Sequence, residues 1–509
     1  MKKFSKTYIY YHLLVDFIVI FFIVFCFFTE AFADEELIFS AENLPKLILC
    51  FSLVFIAVYI VKTVYSILYY KTSGYNLLAD KIECQRGVFF RKKSILEYKK
   101  IHAVNKKQNL FHRLFKIAVL TLDSGSANTG HTAEILIVEN DCVVDKLVEE
   151  IKLRQSGNYQ ELETEREVIE KIERENLYNF TAKSKVLYSV INAVTTLAVL
   201  LVITALVSVL FGLALPLLLK VLHVENLVLI LNILIISIIS YIGVGIFVFI
   251  VSILVSFLTY YKFSVYKNEN DIEINYGFFV NNKNTFKLNR IKGVVITQNL
   301  IQKLFKFVSV KLEVIGYTES TNNENNAQSM GVLFPLCKES EVDENIKLVL
   351  PNYVPDKKQV RAKKYFPFVS WSSLFVSVFS LLAIIVVALE LVIFKVATDT
   401  ILTVVLILTL TLVLILSLML LGGLLEYYNN GIAVNGNKIT IINGGFTKNT
   451  TVINRKHVVG IEDITTPMRK KAGIYSFKIH FRANDQTNEI RLKNVDESVV
   501  ETLRNVIIY

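Results

Sequence analysis

The sequence lacks the residue constellations that most enzymes carry. It has no HExxH pair for zinc, no glycine-rich phosphate-cradling loop and no Gly-x-Ser-x-Gly elbow. Seven histidines (His12, His102, His112, His131, His223, His457 and His480) are scattered, none beside a plausible nucleophile. The five cysteines (Cys26, Cys50, Cys84, Cys142 and Cys337) show neither metal-ligand spacing nor a disulfide framework. These absences point to no catalytic residues, no metal site and no cofactor. The Gly/Pro-broken apolar helices that carriers use are missing too, with Pro216 and Gly212 the one comparable break.

What the chain has in abundance is apolar sequence, 53% of its 509 residues. A membrane-crossing helix needs about 20 mostly apolar residues. Leu13–Phe32, Leu47–Val61 (continuing to Tyr70), Leu187–Leu219, Leu227–Leu258, Phe368–Leu389 and Ile401–Leu425 meet that need. Six spans in three pairs are expected, at 12–70, 186–259 and 367–425. The third and fourth spans exceed the bilayer and must tilt or project. The first has a second reading: Lys2, Lys3 and Lys6, an apolar stretch and Ala31–Ala33 resemble a secretory signal with its cleavage site. Its length favours a retained helix, and both readings put Asp34 onward outside.

Lysine and arginine near the span ends set orientation. Lys2, Lys3 and Lys6 precede the first span. The loop after it carries Asp34, Glu35, Glu36 and Glu42 against Lys46. Lys71, Lys81, Arg86, Arg91, Lys92 and Lys93 follow the second span, and Lys357–Lys364 precede the fifth. Both termini and the three hydrophilic segments are therefore expected in the cytoplasm of a multi-pass cell-membrane protein. A net charge of +10 then faces the anionic inner leaflet, although topology alone would also explain it.

The hydrophilic segments repeat. "KIHAVNKKQNLFHRLFK" from Lys100 and "RIKGVVITQNLIQKLFK" from Arg290 align without a gap at an offset of 190 residues. Gln108, Asn109, Leu110, Leu114 and Phe115 match Gln298, Asn299, Leu300, Leu304 and Phe305. A weaker third copy follows at an offset of 357, pairing Ile82, Gly87, Ile101 and Val104 with Ile439, Gly444, Val458 and Ile461. Thr465-Thr466 stands there in place of Gln-Asn. Modules are expected at 71–154, 260–354 and 426–509, with a charged linker at 155–182 that reads as an exposed helix or tether. The Asn-rich stretch Gly316–Gly331 reads as a hairpin tip.

Within the modules, Val308, Val310, Leu312 and Val314 alternate with polar residues, as do Phe477, Ile479 and Phe481, the period of half-buried strands. Gly87, Gly277 and Gly444 mark turns where positive φ would be inexpensive. Each copy ends in a short amphipathic pattern: Val143, Leu147 and Ile151 after Asp141; the weaker "ESEVDENIKLVL"; and Val499, Val500, Leu503 and Ile507 after Asp496. The fold expected is mixed α/β: three transmembrane hairpins, each followed by a small β-barrel or sandwich closed by a C-terminal helix.

Paired spans followed by "RG-x-F…KI-x-x-V…Q-N-L…LF" resemble the bacterial pleckstrin-homology-like (bPH) membrane proteins of the YdbT type. The resemblance covers almost the whole chain in repeat and order, and departs from it in the third module. It implies a PH-like fold, no established reaction, and a smaller membrane partner carrying the same kind of module.

The spacing of Leu110, Leu114 and Phe115, and of Leu300, Leu304 and Phe305, suits a helical turn packed on the sheet. Gln108 and Gln298 can satisfy backbone groups where a strand enters that turn. The sharper alternative makes each copy a docking face. Arg91, Lys92, Lys93, Lys99, Lys100, Lys106 and Lys107 are candidates to meet anionic lipid, at about 1 kcal/mol each close to the surface. Nucleic acid is the competing anion and has no recognised motif here. Asp16 and Glu390 are intramembrane polar residues, read as snorkelling or locally paired against the alternative of an ion pathway. The expected work is docking, assembly or membrane-surface sensing, in envelope defence or homeostasis, compatible with a homo-oligomer. A transporter component is the first rival and a lipid-modifying enzyme the second.

Overall fold

The computed structural model describes residues 1–31, 43–101, 103–123, 135–156, 175–200, 227–268, 270–314, 330–356, 360–361, 417–419, 421–465, 467–471, 473–482 and 487–496. Among them, three helices are long and apolar enough to cross a membrane, over Thr7–Cys26, Leu49–Thr72 and Ile239–Thr259. The fifth span with Glu390, the Asn-rich stretch, most of the charged linker and the last amphipathic pattern lie outside the described residues. Helix also runs over 182–200 and 421–429.

In the first copy, β1 (Lys2–Lys3) precedes α1 (Thr7–Ala31), and α2 (Asn43–Thr72) leads into β2 (Gly74–Leu77), β3 (Lys81–Arg86) and β4 (Lys92–Glu97). Then come β5 (Ala103–Asn109), α3 (Leu110–Leu114), β6 (Ile117–Asp123), β7 (Ile135–Asn140) and α4 (Asp141–Ser156). β8 (Glu175–Asn179) ends the linker, and α5 (Leu227–Thr259) opens the second copy. That copy continues with β9 (Ser264–Lys267), β10 (Asp271–Tyr276), β11 (Val280–Lys287), β12 (Ile291–Asn299), α6 (Leu300–Leu304), β13 (Phe307–Val314), β14 (Met330–Lys338) and α7 (Val342–Val349). The third has β15 (Val360–Arg361), β16 (Gly431–Asn435), β17 (Lys438–Asn443), β18 (Thr447–Asn454), β19 (Val458–Ile464), α8 (Pro467–Lys471), β20 (Ile474–Arg482) and β21 (Thr487–Asp496).

Local chemistry accounts for these elements. Gly87, Gly277 and Gly444 all adopt φ above +100°, and a Cβ at any of them would lie within about 2 Å of a backbone oxygen three residues on. Val308, Val310, Leu312 and Val314 are buried, as are Phe477, Ile479 and Phe481, and the two-residue period does mark apolar core positions; Ser309 and Glu313 are buried too, so β13 is covered on its other face as well. In the first copy, Val144, Leu147, Val148 and Ile151 of α4 close a core that includes Tyr75, Ile82, Leu96 and Leu120. Phe4 belongs to that core, and Lys2 and Lys3 pair with Tyr75 and Gly74, so the residues ahead of α1 are built into the first copy.

The copies are not separate bodies. One seven-stranded sheet runs β7-β6-β5-β11-β10-β9-β8, and a second runs β14-β13-β12-β18-β17-β16-β15. Each joins the last strands of one copy to the first strands of the next. The chain accordingly forms two compact units, and one of the boundaries between them falls inside the second copy, between Arg290 and Ile291. One unit holds the first copy with β9–β11, and the other holds the 182–200 helix, α5 and β12–β21.

The leucines of the repeated stretch do not pack on the sheet: Leu114 is 71% exposed and Leu304 77%, with Leu110, Leu300 and Phe305 also exposed. Phe115 packs against the core of the first copy. The apolar face of each five-residue helix points away from the sheet because the buried position of the turn is taken by His112 in α3 and Gln302 in α6.

Candidate functional site

The repeated stretch does two things. As a strand it makes the junction between copies. In the first unit β5 pairs antiparallel with β11, from Ala103 opposite Phe286 to Asn109 opposite Val280. In the second unit β12 pairs with β18, from Gly293 opposite Ile453 to Asn299 opposite Thr447. Gly293 is the repeat counterpart of Ala103 and Asn299 that of Asn109, so the two junctions share one register. Register of this kind is fixed by the buried face, since a one-residue slip would turn every side chain over.

Past the strand, Gln and Asn manage the sharp exit. Gln108 donates from Nε2 to the Ile117 carbonyl at 3.0 Å, and Gln298 donates to the Phe307 carbonyl at 3.1 Å and to Glu339 Oε2 at 3.2 Å. Both glutamines are buried, and these bonds satisfy amides that would otherwise be costly there. Asn299 caps α6 in a reciprocal capping box, its Oδ1 accepting from the Gln302 N–H at 2.7 Å, and Asn109 holds the same place ahead of α3. The Asn109 backbone N–H donates to His112 Nδ1 at 3.3 Å, and the Asn299 N–H donates to Gln302 Oε1 at 3.0 Å. Burial, then His12 and Lys107, push the His112 pKa down to about 4, so the ring is a neutral acceptor.

The exit delivers apolar side chains to one rim. Leu110, Phe111 and Leu114 of α3 are exposed. The pairing of Val280 with Asn109 brings the turn at Phe278 and Phe279, also exposed, to the same end. In the second unit the pairing of Thr447 with Asn299 does the same for Phe446 beside Leu300, Leu304 and Phe305. The apolar helices reach these rims. The Tyr11 ring of α1 lies 4.5 Å from His112, and Tyr65 of α2 stacks on Phe89 at 6.5 Å. Asn299 Nδ2 donates to Thr195 Oγ1 of the 182–200 helix at 3.5 Å. Phe446 packs on Gly422, where a Cβ would sit 2.9 Å from the ring. Clusters of exposed apolar groups rimmed by charge mark interaction surfaces.

The basic candidates divide. Arg91, Lys92, Lys99 and Lys100 are exposed, Lys100 paired with Glu97 at 2.9 Å and exposed Lys93 with Glu83 at 3.1 Å. Lys107 is half-buried on β5. Lys106 is turned away from any exposed face: its side chain is largely buried and pairs with Asp141 at 2.5 Å and Asp145 at 2.7 Å. Burial pulls its pKa down, but hydrogen bonds and charge from the two aspartates outweigh that and leave it raised. Asp16 on α1 accepts from Ser66 Oγ of α2 at 3.4 Å, and is locally paired. Among the described residues no group of three or more His, Cys, Asp or Glu stands close enough to hold a metal. A cleft of about 290 Å³ crosses the second junction, lined by Gln298, Glu339, Asp343, Asp356, Lys448 and Thr450. The inter-copy pairing and the exposed Phe-tipped turns were missed in the sequence, although the aromatics after Gly87, Gly277 and Gly444 were a readable signal.

A two-sheet module recurring at the ends of apolar helices is the arrangement of a membrane protein with repeated PH-like domains. The Bacterial PH domain family matches residues 19–152, 190–349 and 374–509, and the chain belongs to that family. Among its relatives is the UPF0699 transmembrane protein YdbT of Bacillus subtilis (strain 168), 22% identical over 448 residues, which cover 85% of this chain and 84% of that protein. No solved structure matches the chain.

Proposed function

We propose that this protein is a non-enzymatic docking scaffold, with its PH-like modules held at the cytoplasmic surface of the membrane by three pairs of spans, 12–70, 186–259 and 367–425. The modules at 71–154, 260–354 and 426–509 meet the lipid through the apolar rims of α3 and α6 and the neighbouring Phe-tipped turns. The contact of α1 and α2 with the first rim carries this reading: Tyr11 against His112 and Tyr65 against Phe89 set Leu110, Phe111, Leu114 and Phe90 where the helices emerge. Aromatic and aliphatic side chains at that depth anchor a protein in the interface. Each fully buried Leu or Phe contributes about 1.5–3 kcal/mol, against about 1 kcal/mol for each nearby cation. The rim therefore anchors, while Arg91, Lys92, Lys99 and Lys100 orient. Local pairing of Asp16 with Ser66 supports a structural rather than a transport role for that carboxylate.

The test uses the full chain in vesicles. Trp371 is the one tryptophan in the sequence. In a Trp371→Phe background, Leu114→Trp and Leu304→Trp are expected to give blue-shifted emission quenched by lipids brominated on the acyl chain, with little change on adding salt. Emission typical of water and insensitive to brominated lipid at both positions would overturn the reading.

A further inference from the structure

Two strands break the pairing pattern. At both junctions one strand of a copy (β5, β12) accepts from the next copy the strand that directly precedes its own counterpart there (β11, β18). The last copy has the accepting strand, β19, and the first copy has the donated strand, β4. Among the described residues, β19 pairs only with β20 and β4 only with β3, each closing the end of its sheet. We propose that β19 of one molecule accepts β4 of a second copy of this chain, continuing the junction from molecule to molecule. This rests on the reading above of the modules as a membrane-held docking scaffold and adds a second copy of the chain to the lipid they meet.

Exposure at equivalent positions singles out the edge. Thr285 on β11 and Val452 on β18 are 6% and 0% exposed within their junctions, whereas Ile95, their counterpart on β4, is 53% exposed. The turn before β4 follows suit: Phe89 and Phe90 are more exposed than Phe278, Phe279 or Phe446, which lie beside a neighbouring copy's short helix. On β19, Val459 and Ile464 are exposed. A row of unpaired backbone groups with apolar side chains is a template for strand addition.

Carrying the shared register to these strands sets Gly460 opposite Leu96, Ile461 opposite Ile95 and Asp463 opposite Lys93, with Glu462 diagonal to Lys92. The edges carry opposite charge: Lys92 and Lys93 on β4, Glu462 and Asp463 on β19. Opposite charges across a strand pair add about 0.2–1 kcal/mol, and like charges oppose pairing. Pairing of β4 with β4, or β19 with β19, is therefore disfavoured, and the contact is head-to-tail, which closes into a ring or extends as a row.

The test places the two halves of the contact on different, differently tagged full-length chains co-expressed in membranes. Exposed Cys26, Cys50 and Cys142 are replaced by alanine in all of them. One chain carries Ile95→Cys and the other Ile461→Cys; directly opposite residues in this geometry lie within disulfide reach. Oxidation is expected to give a mixed-tag disulfide dimer, and Ser94→Cys, which faces the other side of β4, should give little with Ile461→Cys. Asp463→Lys should remove the dimer, and Lys93→Asp on the other chain should restore it. Three outcomes overturn the proposal: equal yield from Ser94→Cys, same-tag dimers in place of mixed ones, or cross-linking to a different membrane protein instead of a second copy. Brominated-lipid quenching that persists while the disulfide fails would retain the rim and discard the contact.

Discussion

His112 and Gln302 hold the same position in two copies of one short helix, and they hold it by the same bond. Each accepts the backbone N–H of the capping asparagine, but only the imidazole can lose that role to a proton. The His112 pKa in the folded chain, about 4, lies below the ordinary value of 6.5. The unfolded state therefore binds the proton more readily, and the contribution is whole above pH 6.5 and is lost as pH falls towards 4. His457 is also lowered to about 4, by burial first and then by Lys292 and Lys456, and it adds to the loss in the same direction. His112→Gln writes the second copy's solution into the first. It should leave the melting temperature of the detergent-solubilised chain nearly unchanged at pH 7.5 and reduce its fall between pH 6.5 and 5. The cap at stake is worth about 1 kcal/mol. Parallel pH profiles for the variant and the natural chain would exclude this role.

The turns decide whether the junctions form. Gly277 sits at φ +113°, and a Cβ there would lie 1.8 Å from the Val280 carbonyl oxygen, at the first residue of the strand that joins the copies. Gly277→Ala must shift that strand or strain it, at about 1–3 kcal/mol. Gly436, at φ +56° with open space around its Cβ direction, is the control. Gly277→Ala should lower the melting temperature clearly more than Gly436→Ala; equal shifts would show that the turn does not hold the junction. These turns were legible because glycine at a fixed place in three copies signals a backbone need, and the alternation at Val308–Val314 was legible because apolar residues line one face of that strand; the burial of Ser309 and Glu313 on its other face was not. The strand partners were not, since pairing joins residues 171–183 positions apart at the first junction and 148–160 at the second and leaves no local period. Nor was the direction of Leu114 and Leu304: a short apolar spacing reads the same whether it faces a core or a lipid surface. Lys106 looked like its basic neighbours because Asp141 and Asp145 lie far along the chain.

At the scale of the molecule, a chain in two compact units with membrane helices raises the question of side. The basic flanks predict a cytoplasmic face for the modules, and the thiols offer a way to test it. Cys84 and Cys337 are buried, and desolvation raises both pKa values, which keeps them protonated and slow to react. Cys142, in the first turn of α4, is exposed. Cys26 and Cys50 lie in α1 and α2 and can be replaced by alanine. That leaves Cys142 as the one readily reactive described thiol on a soluble module. A membrane-impermeant maleimide should leave it unmodified in intact cells and modify it after permeabilisation, while a permeant maleimide should reach it in both. Modification by the impermeant reagent in intact cells would place the first module outside. It would also remove anionic inner-leaflet lipid as the surface that Arg91, Lys92, Lys99 and Lys100 meet, because the positive flanks would then have set the opposite topology from the one such charges impose.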